Sequence, residues 1–391
     1  MAAMATMAAM AAMAAMACDA GTETSTLPYN TSKAIETYSQ IVFASYEDSL
    51  LTTSTLNKSI QIFISEPNDQ TMIKAKEDWL ASRETYLQTE VYRFYDGPID
   101  EPDRGPEGMM NAWPLDEAYV DYVNDDISTG IINDRTIPIN ATNLESLNEY
   151  GGEENIATGF HAIEFLLWGQ DTSAIGPGDR PYTDYLTNGN GTATNQDRRG
   201  RYLSTVTSML EDHFESIVSS WIPHEPENYR AQFENLDNPE AIRRILTGMI
   251  ILSGFETGGE RLQTALDSGD QEDEHSCFSD NTHRDMVQDI QGVLNIWLGS
   301  YTRIDGSTIS GIGIVDIVKY VEPELATKLG NRIVESLELA NKLSPPFDQE
   351  ISLKNIEGRA RVQRLINSLR DQENLLQDVF QRFELTIPDP D

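Results

Sequence analysis

Gly159-Phe160-His161-Ala162-Ile163-Glu164-Phe165-Leu166-Leu167-Trp168 reads as one buried helix. Its apolar residues run on without the alternation of a half-buried strand. His161 and Glu164, three positions apart, leave the same helix face. An ionised carboxylate inside such a run is costly unless it is paired or metal-bound. The segment therefore predicts a helical core and, inside it, a polar site.

Helical spacing continues on both sides. Ile35, Tyr38, Ile41, Val42, Tyr46 and Leu50 recur at three and four, and so do Met72, Ile73, Trp79, Leu80, Tyr86, Leu87 and Val91, as far as Asp96-Gly97-Pro98. Residues 97–155 are looser, with prolines at 98, 102, 106, 114 and 138, and a short helix is expected from the stripe Leu115, Ala118, Tyr119, Tyr122. Gly169 to Gly200 reads as a long loop or domain connection. Beyond it, three stripes follow: Leu203 to Trp221, Ile242 to Ile250, and Met286 to Trp297. A last long helix is expected from about Ile351 to Phe383, and Gly258-Gly259, inside an apolar helix pattern, is expected to mark close packing.

The predicted fold is all-α: two helical-bundle domains, 32–200 and 201–391, with a cleft between them as the usual place for a site. Gly254-Phe255-Glu256 through Glu260 echoes Gly159-Phe160-His161 through Glu164, which leaves an internal duplication open.

The chain has 391 residues, 28 basic and 64 acidic, for a formal charge of −36. So negative a surface repels phosphate backbones and excludes nucleic acid as a partner. It also keeps a protein soluble in salty surroundings. Cys18 and Cys277 are too few for a disulfide framework. Met1 to Ala17 is almost all Ala and Met, and Ala15-Met16-Ala17-Cys18 places a small residue before cysteine. Residues 1–18 are therefore read as a signal peptide with Cys18 as a lipidation site, and 19–31 as a linker. No Lys or Arg precedes the run, so ordinary export and a later start codon stay open. The expected location is the periplasm or outer membrane surface, with membrane contact through an N-terminal lipid alone.

A second polar patch runs from Glu272 to Asp285 and holds His275 and His283 among several carboxylates, Asp280 included. Nitrogen and carboxylate donors gathered this way suit a transition metal. A solvated turn before a helix start accounts for Asp273, Glu274 and Asp280 just as well, but not for the two histidines. Cys277 reads as a soft ligand, a nucleophile or an inert buried thiol. Arg83, Tyr86, Glu90 and Arg93 share one helix stripe, either at the site or as an ion-paired exposed face. Asp116 and Glu117 read as a helix start or as site carboxylates, whereas His213 and His224 belong to no constellation. The chain has no His-Glu-x-x-His, no Gly-x-Ser-x-Gly, no phosphate loop and no dinucleotide fingerprint.

At these residues the chain resembles the imelysin family, also classed as the M75 peptidases and related to iron-regulated and iron-uptake lipoproteins. The resemblance rests on Gly159-x-His161-x-x-Glu164, on Asn111-Ala112-Trp113-Pro114-Leu115-Asp116-Glu117, on Gly176-Pro177-Gly178-Asp179-Arg180-Pro181-Tyr182, and on His275-Ser276-Cys277-Phe278-Ser279-Asp280-Asn281-Thr282-His283. It implies two helical bundles with a site between them, in a cell-envelope protein linked to iron and its uptake components. It also implies His161 and Glu164 as metal ligands. Further candidate site residues are Glu90, Arg93, Asp116, His275, Asp280 and His283. The expected cofactor is a divalent or ferric ion, iron first and zinc as the alternative. The preferred reading is an iron-binding protein. A zinc metallopeptidase in which Glu164 or Glu90 takes a proton from water is the second, and a metal-free cleft for a peptide or small ligand the third.

Overall fold

The computed structural model describes residues 27–385 except Ala174; the expected signal segment, Cys18 and most of the expected 19–31 linker lie outside the described residues. Only helices of ten residues or more are numbered below. Helix α1 (Thr31–Ser65) buries Ile35, Tyr38, Ile41, Val42 and Tyr46, the stripe expected of it. Helix α2 (Asp69–Tyr86) starts at a capping box, with the Asn68 side chain accepting from the backbone of Gln70 and Thr71. It tightens into a 3₁₀ turn, Leu87–Tyr92, in place of a continuous helix to Val91.

Helix α3 (Gly159–Trp168) is buried at all ten positions. Its entry depends on glycine. Gly159 has φ +81°, and a Cβ there would stand 2.5 Å from the Met110 carbonyl oxygen. The Trp79 indole donates to the Phe160 carbonyl at 3.0 Å and fastens α2 to this first turn. Helix α4 (Gln196–Trp221) packs on α1 and α3.

Helix α5 (Asn238–Ile250), capped by Asp237, runs straight into a π-helical stretch, Ile251–Gln263. Gly254 lies so close to the Glu373 side chain that a Cβ would overlap it, and a Cβ on Gly258 would touch Leu369 at 3.4 Å. The expected close packing is present, around a helix of altered winding. Gly159 and Gly254, the two ends of the internal echo, thus sit in different structures: an α-helix start and a π-helical turn.

Helix α6 (Thr282–Leu298) lies against the 3₁₀ turn and against α7 (Pro323–Ala340); α8 (Ile356–Arg382) packs on α7 and on the π-helical stretch. The last helix begins at Ile356, five residues later than expected, because Phe347–Ile351 forms its own short helix. The helix expected after Trp113-Pro114 shrinks to Glu117–Val120. A short antiparallel hairpin, Ser300–Thr302 with Thr308–Ser310, follows α6. The all-α fold stands.

Two clusters of buried apolar side chains hold these elements. The larger draws on α1–α5 and on residues beyond 290, and the smaller joins the π-helical stretch, α7 and α8. Helix α6 serves both, with Met286 and Ile290 in the smaller and Val293 and Trp297 in the larger. Among the described residues no helix is long and apolar enough to cross a membrane.

Candidate functional site

The N-terminal end of α6 and the loop before it reach over the first turn of α3, bringing the two polar patches together. The His161 and His275 rings lie 5.0 Å apart, centroid to centroid, at 67°. Trp113 stands edge-on to His275 at 5.1 Å. Neither imidazole is more than 2% exposed.

Each imidazole is tethered at Nδ1 by a carboxylate. His161 Nδ1 lies 2.8 Å from Glu164 Oε2, and His275 Nδ1 lies 2.7 Å from Asp285 Oδ2. Glu164 Oε1 accepts from the Ser279 backbone at 2.9 Å and the Ser279 hydroxyl at 2.6 Å. Asp285 Oδ2 also accepts from the Ser276 hydroxyl at 2.5 Å and from Arg83 Nη2 at 3.4 Å, and Asp285 Oδ1 accepts from Asn281 at 3.2 Å. Arg83 is itself enclosed, over the rings of Trp79, Tyr86 and Phe160, and donates to Asn111 Oδ1. Arg83 thus pairs with Asp285 and not with Glu164.

The far nitrogens differ from all these atoms. Nε2 of His161 and Nε2 of His275 are both buried without a hydrogen-bond partner. Burial, with Arg83 adding to it, holds the His161 imidazole neutral far below its ordinary titration range; burial and Arg261 do the same for His275. Burial pushes the Glu164 carboxyl up to about 8. A cation brought to the imidazoles favours the ionised carboxylate, with Nδ1–H donating to it and a lone pair on Nε2.

A second network lies next to this pair. Glu90 Oε2 accepts from Arg93 at 2.7 Å and from Arg261 at 2.6 Å, and Arg261 Nη1 reaches Asp289 at 2.8 Å. Burial opposes the charge on Glu90, but the two guanidinium groups overcome it and hold the carboxyl below its usual range. Asp289 goes the other way, up to about 7, chiefly through burial. Glu90 acts electrostatically on both imidazoles but does not touch them.

The other sequence candidates fall elsewhere. Arg93 bridges Glu90 and Glu107. Asp116 caps the short Glu117 helix by accepting from Ala118 at 2.9 Å, at the surface. His283 sits in the first turn of α6 with Nδ1 3.1 Å from the Asp280 carbonyl oxygen. Burial raises the Cys277 thiol well above its ordinary value, which keeps it un-ionised. Asp280 lies in the loop before α6, its carboxyl raised to about 7 chiefly by burial and then by the charges of Asp348 and Asp171. As placed, no three His, Cys, Asp or Glu side chains among the described residues converge on a single ion. Sequence reasoning missed Ser279 and Asp285 as supports. The only signal for them was their place in the polar stretch before α6.

Comparison with known proteins agrees with this architecture. The family model described as imelysin, Peptidase_M75, matches residues 42–376. Iron-regulated protein A of Synechococcus elongatus is 21% identical over 315 residues, covering 80% of this chain and 76% of that protein. A crystal structure from Parabacteroides distasonis, described as an iron-regulated protein A precursor, superposes with a TM-score of 0.69 at 18% identity, covering 93% of this chain and 98% of the other. An imelysin-like protein from Psychrobacter arcticum superposes at 0.62 and 11% identity, covering 92% and 98%.

Proposed function

The chain belongs to the imelysin family, and from that premise we propose that it is an iron-linked envelope protein that binds a transition-metal ion through Nε2 of His161 and Nε2 of His275. The observation that carries this reading is the pair of partnerless buried imidazole nitrogens. Two partnerless imidazole nitrogens on rings 5.0 Å apart make a ready pair of metal donors, set apart from the partnerless Arg83 Nε and Asn111 Nδ2 nearby, which can only donate a hydrogen bond. Imidazole nitrogen suits iron and zinc alike. Iron is preferred because a relative of this chain is named an iron-regulated protein.

In this arrangement Glu164 and Asp285 orient the two rings and are not themselves ligands. Metal-bound histidines ordinarily give their second nitrogen to a carboxylate, which fixes the ring and makes the ligating nitrogen more basic. Ser279, Ser276 and Arg83 fix the carboxylates in turn. With two protein nitrogens, the remaining coordination positions fall to small oxygen ligands carried in with the ion.

Less supports the peptidase reading. A general base needs a carboxylate that is both free and basic enough to take a proton from water; both oxygens of Glu164 are engaged, and Glu90, although its Oε1 has no partner, is held below its usual range by two guanidinium groups. His161 and His275 are at most 2% exposed, so a peptide backbone does not reach them in this arrangement.

Metal analysis tests the proposal. Protein purified without chelators is expected to carry iron, or to take up added iron, at a ratio near one. His161→Ala and His275→Ala are expected to lose it, and Glu164→Gln to weaken it by about 10- to 100-fold. Iron uptake unchanged in both histidine variants would sink the assignment; chelator-sensitive peptide cleavage with stoichiometric zinc would replace it by the peptidase.

A further inference from the structure

Four of the five tryptophans, Trp79, Trp168, Trp221 and Trp297, sit in the larger apolar core. Trp113 does not. It is half-buried, it belongs to neither cluster of apolar side chains, and the ring it stands against is the His275 imidazole, at 5.1 Å. The other side chains that touch the two histidine rings, Glu164 and Asp285, are fully enclosed. Trp113 reaches the surface, and its indole N–H has no protein partner and is not enclosed. At this point the wall of the site is one indole thick, with His275 on one side and solvent on the other.

The backbone that carries Trp113 is held only at its ends. Ala112, Trp113, Pro114 and Leu115 make no hydrogen bond among the described residues. On one side the Asn111 amide donates to the Glu107 carbonyl at 2.9 Å, and the Asn111 side chain accepts from Arg83. On the other side the Asp116 amide donates to the Glu154 carbonyl at 2.7 Å. Leu115 packs on the larger core, whereas Ala112, Trp113 and Pro114 lie outside it. A segment with few hydrogen bonds and few buried apolar contacts opens at far lower cost than the helices around it. Helix α3, the other wall of the site, is buried at all ten positions and fastened by the Trp79 indole.

We propose that residues 112–115 are a lid over the imidazole pair, with Trp113 as its plug. Swinging the indole outward between the anchors at Asn111 and Asp116 opens the His275 ring, and past it the His161 ring, to small molecules from solvent. The lid itself stands on contact and burial alone. That the species admitted is a metal ion rests on the transition-metal reading above.

The test uses the whole protein and diethyl pyrocarbonate, which acylates the free nitrogen of a neutral imidazole, with each histidine followed by peptide mass spectrometry. In wild type, His275 is expected to label far more slowly than the exposed His224. Trp113→Ala is expected to speed His275 by about tenfold or more. It is expected to leave His213, whose Nε2 is buried on helix α4, at its wild-type rate. A tryptophan that only stabilised the fold would, once removed, speed both. Trp113→Leu is read the same way should Trp113→Ala fail to fold. The same variant is expected to take up and release iron faster at an unchanged ratio. Faster His275 labelling in a protein that binds no iron would keep the lid and remove the metal reading instead. Wild-type His275 labelled as fast as His224, no acceleration in either variant, or His275 and His213 accelerated alike, would overturn the lid.

Discussion

His275 is held on three sides: by Asp285 at Nδ1, by Trp113 edge-on, and by the His161 ring. Held this way it stays neutral when folded, whereas in the unfolded chain it titrates near pH 6.5. The sign follows. Its folded value is depressed, so its contribution to stability is intact above about pH 6.5 and is lost as pH falls below that, because only the unfolded chain takes up the proton. Thermal melts of wild type and His275→Gln at pH 7.5 and pH 5 check this. The wild-type advantage is expected to shrink at pH 5, and an advantage that grew on acidification would contradict the burial of a neutral ring. At this scale the sequence pointed to residues that the fold brings together. His161 and Glu164 share a face by helical spacing alone, and His275 stood out in a stretch that capping could not explain. Ser279 and Asp285 were not separable from the other polar residues of that stretch, because what distinguishes them is contact with residues far away in sequence: Ser279 touches Glu164, and Asp285 touches Arg83.

Helix α3 shows what the glycine of the Gly-x-His-x-x-Glu pattern does. At φ +81°, with the Met110 carbonyl 2.5 Å from where a Cβ would be, Gly159 sets the angle at which the helix enters the core and so where His161 points. Gly159→Ala is expected to cost about 1–3 kcal/mol and to lower Tm while leaving the helix content measured by circular dichroism nearly unchanged. A melt equal to wild type would remove the argument. Most helices were legible because apolar periodicity is a local property: α1, α4 and α6 follow their stripes. The π-helical stretch was not. Its apolar spacing is ordinary, and the widened winding goes with contacts that only the fold creates, Gly254 against Glu373 and Gly258 against Leu369.

At the scale of the whole molecule, a net charge of −36 is a standing source of self-repulsion. Salt shortens the reach of these repulsions, from about 30 Å at 0.01 M to about 3 Å at 1 M, and leaves the buried ion pairs largely unscreened. Tm is therefore expected to rise between 10 mM and 0.5 M NaCl, by several degrees; a flat or falling melt would show that surface ion pairs outweigh the repulsion. The full enclosure of His161 and His275 has a kinetic consequence too. An ion bound to these nitrogens sits behind a closed wall, so its arrival and departure wait on the protein breathing open. Loading would then level off as the ion is made more abundant, at the frequency of that opening, and release would be slow for the same reason. Such timing suits a keeper of ions better than a rapid ferry.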